Sequence, residues 1–236
     1  MKRHDGRRHD EVRRIEVARR FLTHAEGSVF FRQGNTWVLC AVSVEEDVPP
    51  FLKGTGKGWV TAEYALLPRS TALRIPRESR SGKVQGRTFE IQRLIGRSLR
   101  SVVDLDRLGP RTLRVDCDVI QADGGTRTAS ITGAYLALEE AVTRMLAMGL
   151  IAENPLKDRL AAVSAGIVDG EVLLDLDYEE DSRADVDANF VMTGSGAFVE
   201  IQATAEGSPF AWSGFELMAG LGRKGITDIL DILRGC

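Results

Sequence analysis

The sequence has few of the residues that build metal centres and disulfides. Three cysteines and three histidines occur in 236 residues. The cysteines form no CxxC pair, and the histidines lack the spacing of metal ligands or of a catalytic triad. They are Cys40, Cys117 and Cys236, and His4, His9 and His24. We therefore expect neither a disulfide framework nor a zinc centre, and we expect the histidines to lie at the surface.

Long apolar runs are missing as well. No stretch approaches the roughly 20 apolar residues needed to cross a bilayer. The first ten residues are highly charged and do not resemble an apolar leader. We therefore expect no membrane span and a cytoplasmic location. Hydrophobic residues make up 43% and charged residues 28% of the chain, which is typical of a folded globular protein.

Each sign of charge is concentrated in its own part of the chain. Residues 69–100 contain nine basic side chains and two acids, whereas residues 169–187 contain nine acids and one arginine. A basic block suits a polyanion, and an acidic cluster suits a divalent cation. Together they indicate phosphate chemistry on a nucleic acid.

Hydrophobic periodicity predicts an α+β fold. Runs of apolar and alternating residues predict strands at residues 28–31, 36–44, 59–64, 112–121, 161–168 and 171–176. Apolar positions spaced by three and four predict helices at residues 88–104, 131–149, 213–222 and 225–233. Because strands followed by helices occur twice, we expect one domain over residues 1–236 with pseudo-repeated halves at about 1–150 and 151–236.

The sharpest local motif is Asp123-Gly124-Gly125-Thr126-Arg127, between a predicted strand and a predicted helix. Glycine lets the backbone approach an anion, and the first N–H groups of a helix are unsatisfied and lie at the positive end of its dipole. The threonine hydroxyl and the guanidinium add donors. The motif therefore predicts a phosphate-sized anion site, and its alternative is a plain capped turn.

A second arginine, Arg87, stands at the start of the other long amphipathic helix. Two guanidiniums on one oxyanion make charge-assisted, bidentate hydrogen bonds. Arg87 therefore strengthens the anion hypothesis. The alternative is that Arg87 lies on a solvated helix face.

The acidic cluster contributes two further candidates, Asp181 and Asp187. If Asp185, Asp187 and Asn189 alternate on a strand, Asp181 in the preceding loop can reach the same point. Such carboxylates can hold Mg²⁺ or supply a general acid. The alternative, a polar loop of exposed acids, is the reading we prefer for Glu179, Glu180 and Asp185.

Several motifs together resemble the ribonuclease PH family. They are RHDGR at residues 3–7, FLTHAEGSV at 21–29, GWVTAEY at 58–64, GRT at 86–88 with EIQRLIGR at 90–97, and the segment 116–133. The resemblance runs from Arg3 to about residue 205. Family members tend to carry a small turn rich in threonine and serine where this chain has Ser208-Pro209-Phe210-Ala211-Trp212.

The resemblance implies the fold of ribosomal protein S5 domain 2, as two βαβα-type halves in one ribonuclease PH domain, and a hexameric ring of three dimers. By motif, the orthophosphate ligands of the family fall on Arg87, Gly125, Thr126 and Arg127, and its catalytic or metal-holding acids fall on Asp181 and Asp187. The implied activity is reversible phosphorolysis of RNA from the 3′ end, with Mg²⁺ as cofactor, orthophosphate as co-substrate and nucleoside diphosphates as products. Precursors of tRNA are the implied substrate.

The basic block then has a natural role. Its first four arginines stand on a segment rich in glycine and proline, where exposed guanidiniums can contact the backbone of single-stranded RNA with weak sequence preference. They are Arg69, Arg74, Arg77 and Arg80.

Two other functions stay open on the sequence alone. A non-catalytic RNA-binding ring subunit would keep the basic block but lose the phosphate ligands or the acids, and this chain retains both. A small-molecule kinase on a similar fold would need a longer nucleotide loop rich in glycine and serine.

Overall fold

The alternating apolar residues of the first half form a five-stranded β-sheet. The computed structural model describes residues 3–82 and 84–235. The strands of this sheet are β1 (Ile15–Arg19), β2 (Gly27–Gln33), β3 (Thr36–Glu45), β4 (Trp59–Leu66) and β5 (Thr112–Gln121). They lie in the order β1-β2-β3-β5-β4, and β4 and β5 are parallel whereas the other neighbours are antiparallel.

The second half forms a four-stranded antiparallel sheet. Its strands are β6 (Leu160–Val168), β7 (Glu171–Leu174), β8 (Val186–Thr193) and β9 (Phe198–Ala205), in the order β7-β6-β8-β9. Asp169 and Gly170 both adopt positive φ in the turn between β6 and β7, as a tight hairpin turn requires. The predicted strands and the α+β class are confirmed.

The described residues contain six α-helices in addition to these sheets. They are α1 (Glu78–Ser81), α2 (Gly86–Ser101), α3 (Leu105–Leu108), α4 (Thr126–Ala147), α5 (Tyr178–Asp181) and α6 (Trp212–Leu233). Helix α4 contacts β2 and β3 of one sheet and β6 of the other, so it is buried along most of its length. This packing holds the N-terminus of α4 at the junction of the two halves. None of these helices is long and apolar enough to span a membrane.

Two expectations about the elements are wrong. The predicted closing helices are one continuous helix, α6. The two glycines at the expected break are places of close packing: a Cβ on Gly222 would lie 2.6 Å from the Phe190 ring, and one on Gly225 would lie 2.8 Å from Leu174. Strand β1 is not among the predicted strands, and in the structure it forms one edge of the first sheet.

The charged N-terminal segment is tied to the acidic cluster. Arg3 is buried, and its Nε donates to Glu180 Oε1 at 2.7 Å. Glu180 is only 2% exposed, so our expectation of an exposed acid is wrong at this position, whereas Glu179 and Asp185 are exposed as expected. The predicted loop around Asp181 is also wrong, because residues 178–181 form the one-turn helix α5 with a capping box at Asp177.

Two of the sparse cysteines lie in the core, between the first sheet and α4, and the three histidines lie at the surface. Cys40 and Cys117 are buried free thiols with sulfur atoms 3.9 Å apart, and Cys236 lies outside the described residues. His4, His9 and His24 are exposed, as expected.

The segment that connects the two halves is held in place by a backbone hydrogen bond, since the N–H of Asp104 donates to the Pro155 carbonyl at 2.7 Å.

Candidate active site

The glycine loop, residues 123–125, connects β5 to the N-terminus of α4. Gly124 and Gly125 have φ of 72° and 63°, a left-handed conformation that glycine adopts without steric cost. Gly125 is the N-cap, and its carbonyl accepts from the N–H of Ala129 at 3.0 Å and from the Thr128 hydroxyl at 2.9 Å. The N–H groups of Gly124 and Gly125 donate to no group in the described part of the chain. The loop therefore presents free donors at the positive end of a 22-residue helix.

Gly124 also gives this loop its place against the second half. A Cβ on Gly124 would lie 2.6 Å from the carbonyl oxygen of Leu176 and 2.9 Å from the Cα of Asp177. Only glycine fits there without moving the backbone. The glycine loop, which belongs to the first half, thus packs directly against the backbone of Leu176 and Asp177 in the second half.

Arg127 is held at the start of α4 by partners from two other elements. Its Nη1 donates to Gln202 Oε1 on β9 at 2.6 Å and lies 3.7 Å from Glu90 Oε1 on α2. Gln202 in turn donates to the same Glu90 oxygen at 2.8 Å. The guanidinium is 15% exposed, so it is oriented while part of it still reaches solvent.

Thr126 and Arg87 complete the basic side of the site. The Thr126 hydroxyl is 2.9 Å from the hydroxyl of Tyr64, which is buried at the end of β4. Arg87 is exposed in the first turn of α2. Burial raises the pKa of Tyr64, while the hydrogen bond with Thr126 and the charges of Arg87 and Arg127 lower it. Both arginines therefore act on the same buried hydroxyl.

The two predicted carboxylates lie on elements of the second half, α5 and β8. Asp187 lies on β8 beside Thr204 of β9, and Asn189 donates to its Oδ2 at 3.2 Å. Asp181 is the last residue of α5. Burial raises the pKa of Asp181, and repulsion from Asp187 raises it further. Burial also raises the pKa of Asp187.

The four predicted side chains are brought together. Arg87 and Arg127 each lower the pKa of Asp181 and of Asp187, against the larger effect of burial. A pair of guanidiniums facing a pair of partly buried carboxylates can hold an oxyanion beside a cation or a protonated acid. Neither Arg87 nor Arg127 lies on a remote face of the molecule.

The carboxylate pair fits a divalent cation. Two repelling carboxylates with raised pKa supply the oxygen ligands that Mg²⁺ prefers, and a dication would offset their repulsion. A second group of ligand types, at His4, Asp177 and Glu180, is a poorer fit. Both oxygens of Glu180 accept hydrogen bonds from Arg3, and Asp177 caps α5.

The arginine segment, residues 68–80, runs from the glycine loop to the start of α2. At one end, the N–H of Ala122 donates to the Ser70 carbonyl at 2.8 Å; at the other, the Thr88 hydroxyl donates to Glu78 at 2.6 Å. Its four arginines are all exposed: Arg69, Arg74, Arg77 and Arg80. The segment is therefore tied at both ends to elements of the site, and its guanidiniums are open to a polyanion.

Sequence reasoning missed three residues that shape this site. Arg13 and Asp175 form a buried ion pair under the glycine loop, and Gln202 orients Arg127. Their partners are 162 and 75 residues away in the chain. No local pattern separates Arg13 from the neighbouring arginines or Asp175 from the other acids of its cluster.

Comparison with known proteins places the chain in a class. Residues 11–143 match domain 1 of the 3′ exoribonuclease family, and residues 158–213 match domain 2 of the same family. The chain is thus built from the two domains of an exoribonuclease that works from the 3′ end of RNA. The chain is 58% identical to ribonuclease PH of Bacillus subtilis over 230 residues, which covers 97% of this chain and 94% of the relative.

Ribonuclease PH of Bacillus pumilus is 56% identical over 228 residues, covering 96% of this chain and 94% of the relative. The chain belongs to the ribonuclease PH family. It is a phosphate-dependent nucleotidyltransferase that shortens RNA from the 3′ end in tRNA processing, with phosphate as co-substrate. The kinase and the non-catalytic subunit are set aside.

Solved structures share the fold at low sequence identity. Rice Rrp46 superposes with a TM-score of 0.79 at 23% identity, covering 98% of each chain. A subunit from the Archaeoglobus fulgidus exosome with RNA bound to the active site superposes with a TM-score of 0.83 at 22% identity, covering 98% of this chain and 92% of that one. These likenesses confirm the predicted S5 domain 2-like fold.

Proposed function

We propose that orthophosphate binds between Arg87, the backbone N–H groups of Gly125 and Thr126, and the side chain of Arg127. The observation that carries this assignment is geometric: Arg127, oriented by Gln202, stands in the first turn of α4 beside the glycine loop. Arg87 and Arg127 also lie near enough to Asp181 and Asp187 to lower the pKa of both carboxyls. The N–H of Gly125 is free, and the helix dipole favours an anion there. Because Gln202 orients Arg127 before the anion arrives, little ordering is left for the binding step.

The bound phosphate is the nucleophile. One of its oxygens attacks the phosphorus of the last nucleotide in line with the bond to the preceding O3′. That P–O3′ bond breaks, a nucleoside diphosphate leaves, and the shortened RNA takes a proton to end in a 3′ hydroxyl. The step is reversible because one phosphate bond replaces another.

Arg87 and Arg127 offset the charge of two phosphates brought together, and Asp187, whose pKa burial raises, protonates the departing O3′. Asp181 would hold Mg²⁺ together with the Asp187 oxygen that carries no proton, and the ion would supply charge stabilisation on the reacting phosphate. Asn189 keeps the Asp187 carboxyl oriented through its hydrogen bond to Oδ2.

The RNA strand follows the arginine segment to this point. Arg69, Arg74, Arg77 and Arg80 contact its phosphates, and 3′ ends of tRNA precursors are the substrate. The protein works in the cytoplasm as a homohexamer, a trimer of dimers. The exposed apolar side chains of Trp212 and Leu217 on α6 and of Phe51 support association, since such groups mark contact surfaces. Residues 1–236 act as one ribonuclease PH domain with two pseudo-repeated halves.

The assignment is tested with purified protein, Mg²⁺ and a 3′-extended tRNA. Nucleoside diphosphates should form only when orthophosphate is present, and Arg87→Ala and Arg127→Ala should each abolish phosphate-dependent release. Arg93→Ala and Arg144→Ala are matched controls on the same helices and should keep full activity. Full phosphorolysis by Arg127→Ala would overturn the anion site.

A further inference from the structure

A buried arginine outside the proposed phosphate ligands supports the glycine loop from below. Arg13 is 6% exposed and Asp175 is fully buried. The guanidinium donates through Nε and Nη2 to the two oxygens of Asp175 at 3.1 and 2.7 Å, and the backbone N–H of Arg13 donates to the same carboxylate at 2.7 Å. This bidentate geometry fixes the plane of the guanidinium.

The remaining donors of Arg13 point at the glycine loop. Its Nη1 donates to the carbonyl of Asp123, and its Nη2 donates to the carbonyl of Gly124 at 3.4 Å. The hydroxyl of Thr36 donates to the same Gly124 carbonyl at 2.6 Å and accepts from the N–H of Asp123 at 3.0 Å. Two consecutive carbonyls of the loop are therefore held on one side.

Because the peptide group is planar, the directions of these two carbonyls also determine the directions of the N–H groups that follow them. In a trans peptide the C=O of one residue and the N–H of the next point in opposite directions. Holding the carbonyls of Asp123 and Gly124 toward Arg13 therefore directs the N–H groups of Gly124 and Gly125 away from it. Those are the two free loop donors at the start of α4.

Asp175 keeps Arg13 in this role. A buried guanidinium without a partner would be costly and would itself attract the anion. Asp175 satisfies two of its N–H groups and neutralises its charge, and Arg7 lies 3.7 Å away on the same carboxylate. Asp175 also adopts φ of 54°, an unusual conformation for a residue with a side chain.

We propose that Arg13 and Asp175 are positioning residues that set the orientation of the orthophosphate-binding amides. This inference rests on the proposed function, because that proposal assigns the N–H of Gly125 to phosphate; the N–H of Gly124 is the donor next to it in the loop. Loss of either partner leaves the charges of Arg87 and Arg127 in place but lets the loop peptides rotate. Phosphate binding is then weakened while RNA binding is kept.

The test compares Arg13→Lys with Arg3→Lys. Arg3 forms a similarly buried ion pair in the same N-terminal segment, with Glu180. It donates to the backbone carbonyls of Leu174 and Asp175, but it has no hydrogen bond to the Asp175 carboxylate or to the glycine loop. For each variant, KM for orthophosphate is measured at saturating RNA, KM for RNA at saturating phosphate, and Tm by thermal unfolding. Arg13→Lys should raise KM for phosphate on the order of tenfold, as misplacement of binding groups does, and leave KM for RNA unchanged. Arg3→Lys should lower Tm and leave KM for phosphate unchanged.

Two results would overturn the inference. One is a folded Arg13→Lys protein with unchanged KM for phosphate; the other is an equal rise of both KM values in Arg13→Lys and in Arg3→Lys. Should Arg13→Lys not fold, Thr36→Val removes the hydroxyl that holds the Gly124 carbonyl, and it must raise KM for phosphate selectively. An active Arg127→Ala enzyme would remove the phosphate site itself, so the two failures are distinguishable.

Discussion

The glycine loop and the arginine segment are neighbours in the fold, but the loop is held by buried hydrogen bonds and the segment is open to solvent. Arg127 is bonded to Gln202, and the loop carbonyls are bonded to Arg13 and Thr36. In the arginine segment, the side chains of Arg74, Arg77 and Arg80 make no hydrogen bond or ion pair with any described residue.

This difference matches the two ligands that we assign. A small oxyanion with fixed geometry is bound best by donors that are already oriented, because no ordering remains to be done. A single strand of changing sequence is bound by exposed charges that adapt to it. Damage to the glycine loop should therefore be severe and specific for phosphate, whereas damage to the arginine segment should be graded and specific for RNA.

Removal of Arg127 should have the largest effect. Arg127→Ala takes away an oriented cation at the reacting phosphate, so we expect kcat/KM for phosphate to fall roughly 10³-fold. Steady-state phosphorolysis of a 3′-extended tRNA measures it, with Arg144→Ala as control. A fall in kcat/KM for phosphate no larger than the fall in Arg77→Ala would contradict the difference that we expect between the glycine loop and the arginine segment.

Asp187→Asn should have the next largest effect. Without a proton donor for the departing O3′, kcat should fall about 10²- to 10³-fold. Filter binding of RNA should be unchanged, because Asp187 is not in the arginine segment. An unchanged kcat in Asp187→Asn would show that Asp187 is not the general acid.

Single removals in the arginine segment should have smaller, additive effects. Arg74→Ala, Arg77→Ala and Arg80→Ala should each weaken RNA binding a few-fold and reduce the salt dependence of log K by about 0.7 per lost contact. KM for phosphate should not change in any of them. A selective change in KM for phosphate would show that the segment belongs to the anion site.

The smallest expected effect is a gain in stability. Because burial raises the pKa of Asp187 in the folded protein above the ordinary 3.8, its ionised form destabilises the fold at neutral pH. With Mg²⁺ removed by a chelator, Asp187→Asn should raise Tm at pH 7 by roughly 2–4 °C. The gain should vanish as the pH falls through the raised pKa toward 3.8, and calorimetry across this range measures it. A gain that grows on acidification would contradict the sign of the shift.

Local patterns predicted the elements that frame the site. Strict alternation gave β5 its observed bounds, and the glycines before Thr126 marked the start of α4. The signals are local because each depends on residues within a few positions of one another. Arg87 and Arg127 could therefore be placed at helix starts before any contact between them was known.

Contacts between distant parts of the chain could not be predicted in this way. Glu180 was expected at the surface because its neighbours are acidic, and its burial depends on Arg3, 177 residues away. Gly222 and Gly225 were expected to interrupt a helix, and the structure shows that they allow α6 to approach Phe190 and Leu174. The Arg13–Asp175 pair could not be predicted for the same reason, because its two residues are 162 positions apart in the chain.

The central claim is that two arginines at helix starts capture a free phosphate beside the two carboxylates. Its most direct test is to supply radiolabelled orthophosphate with unlabelled 3′-extended tRNA and to locate the label in the products. The label should appear in the β-phosphate of the released nucleoside diphosphates, at one label per nucleotide removed, and it should be lost in Arg127→Ala. Release of unlabelled monophosphates, or full labelling by Arg127→Ala, would contradict the account.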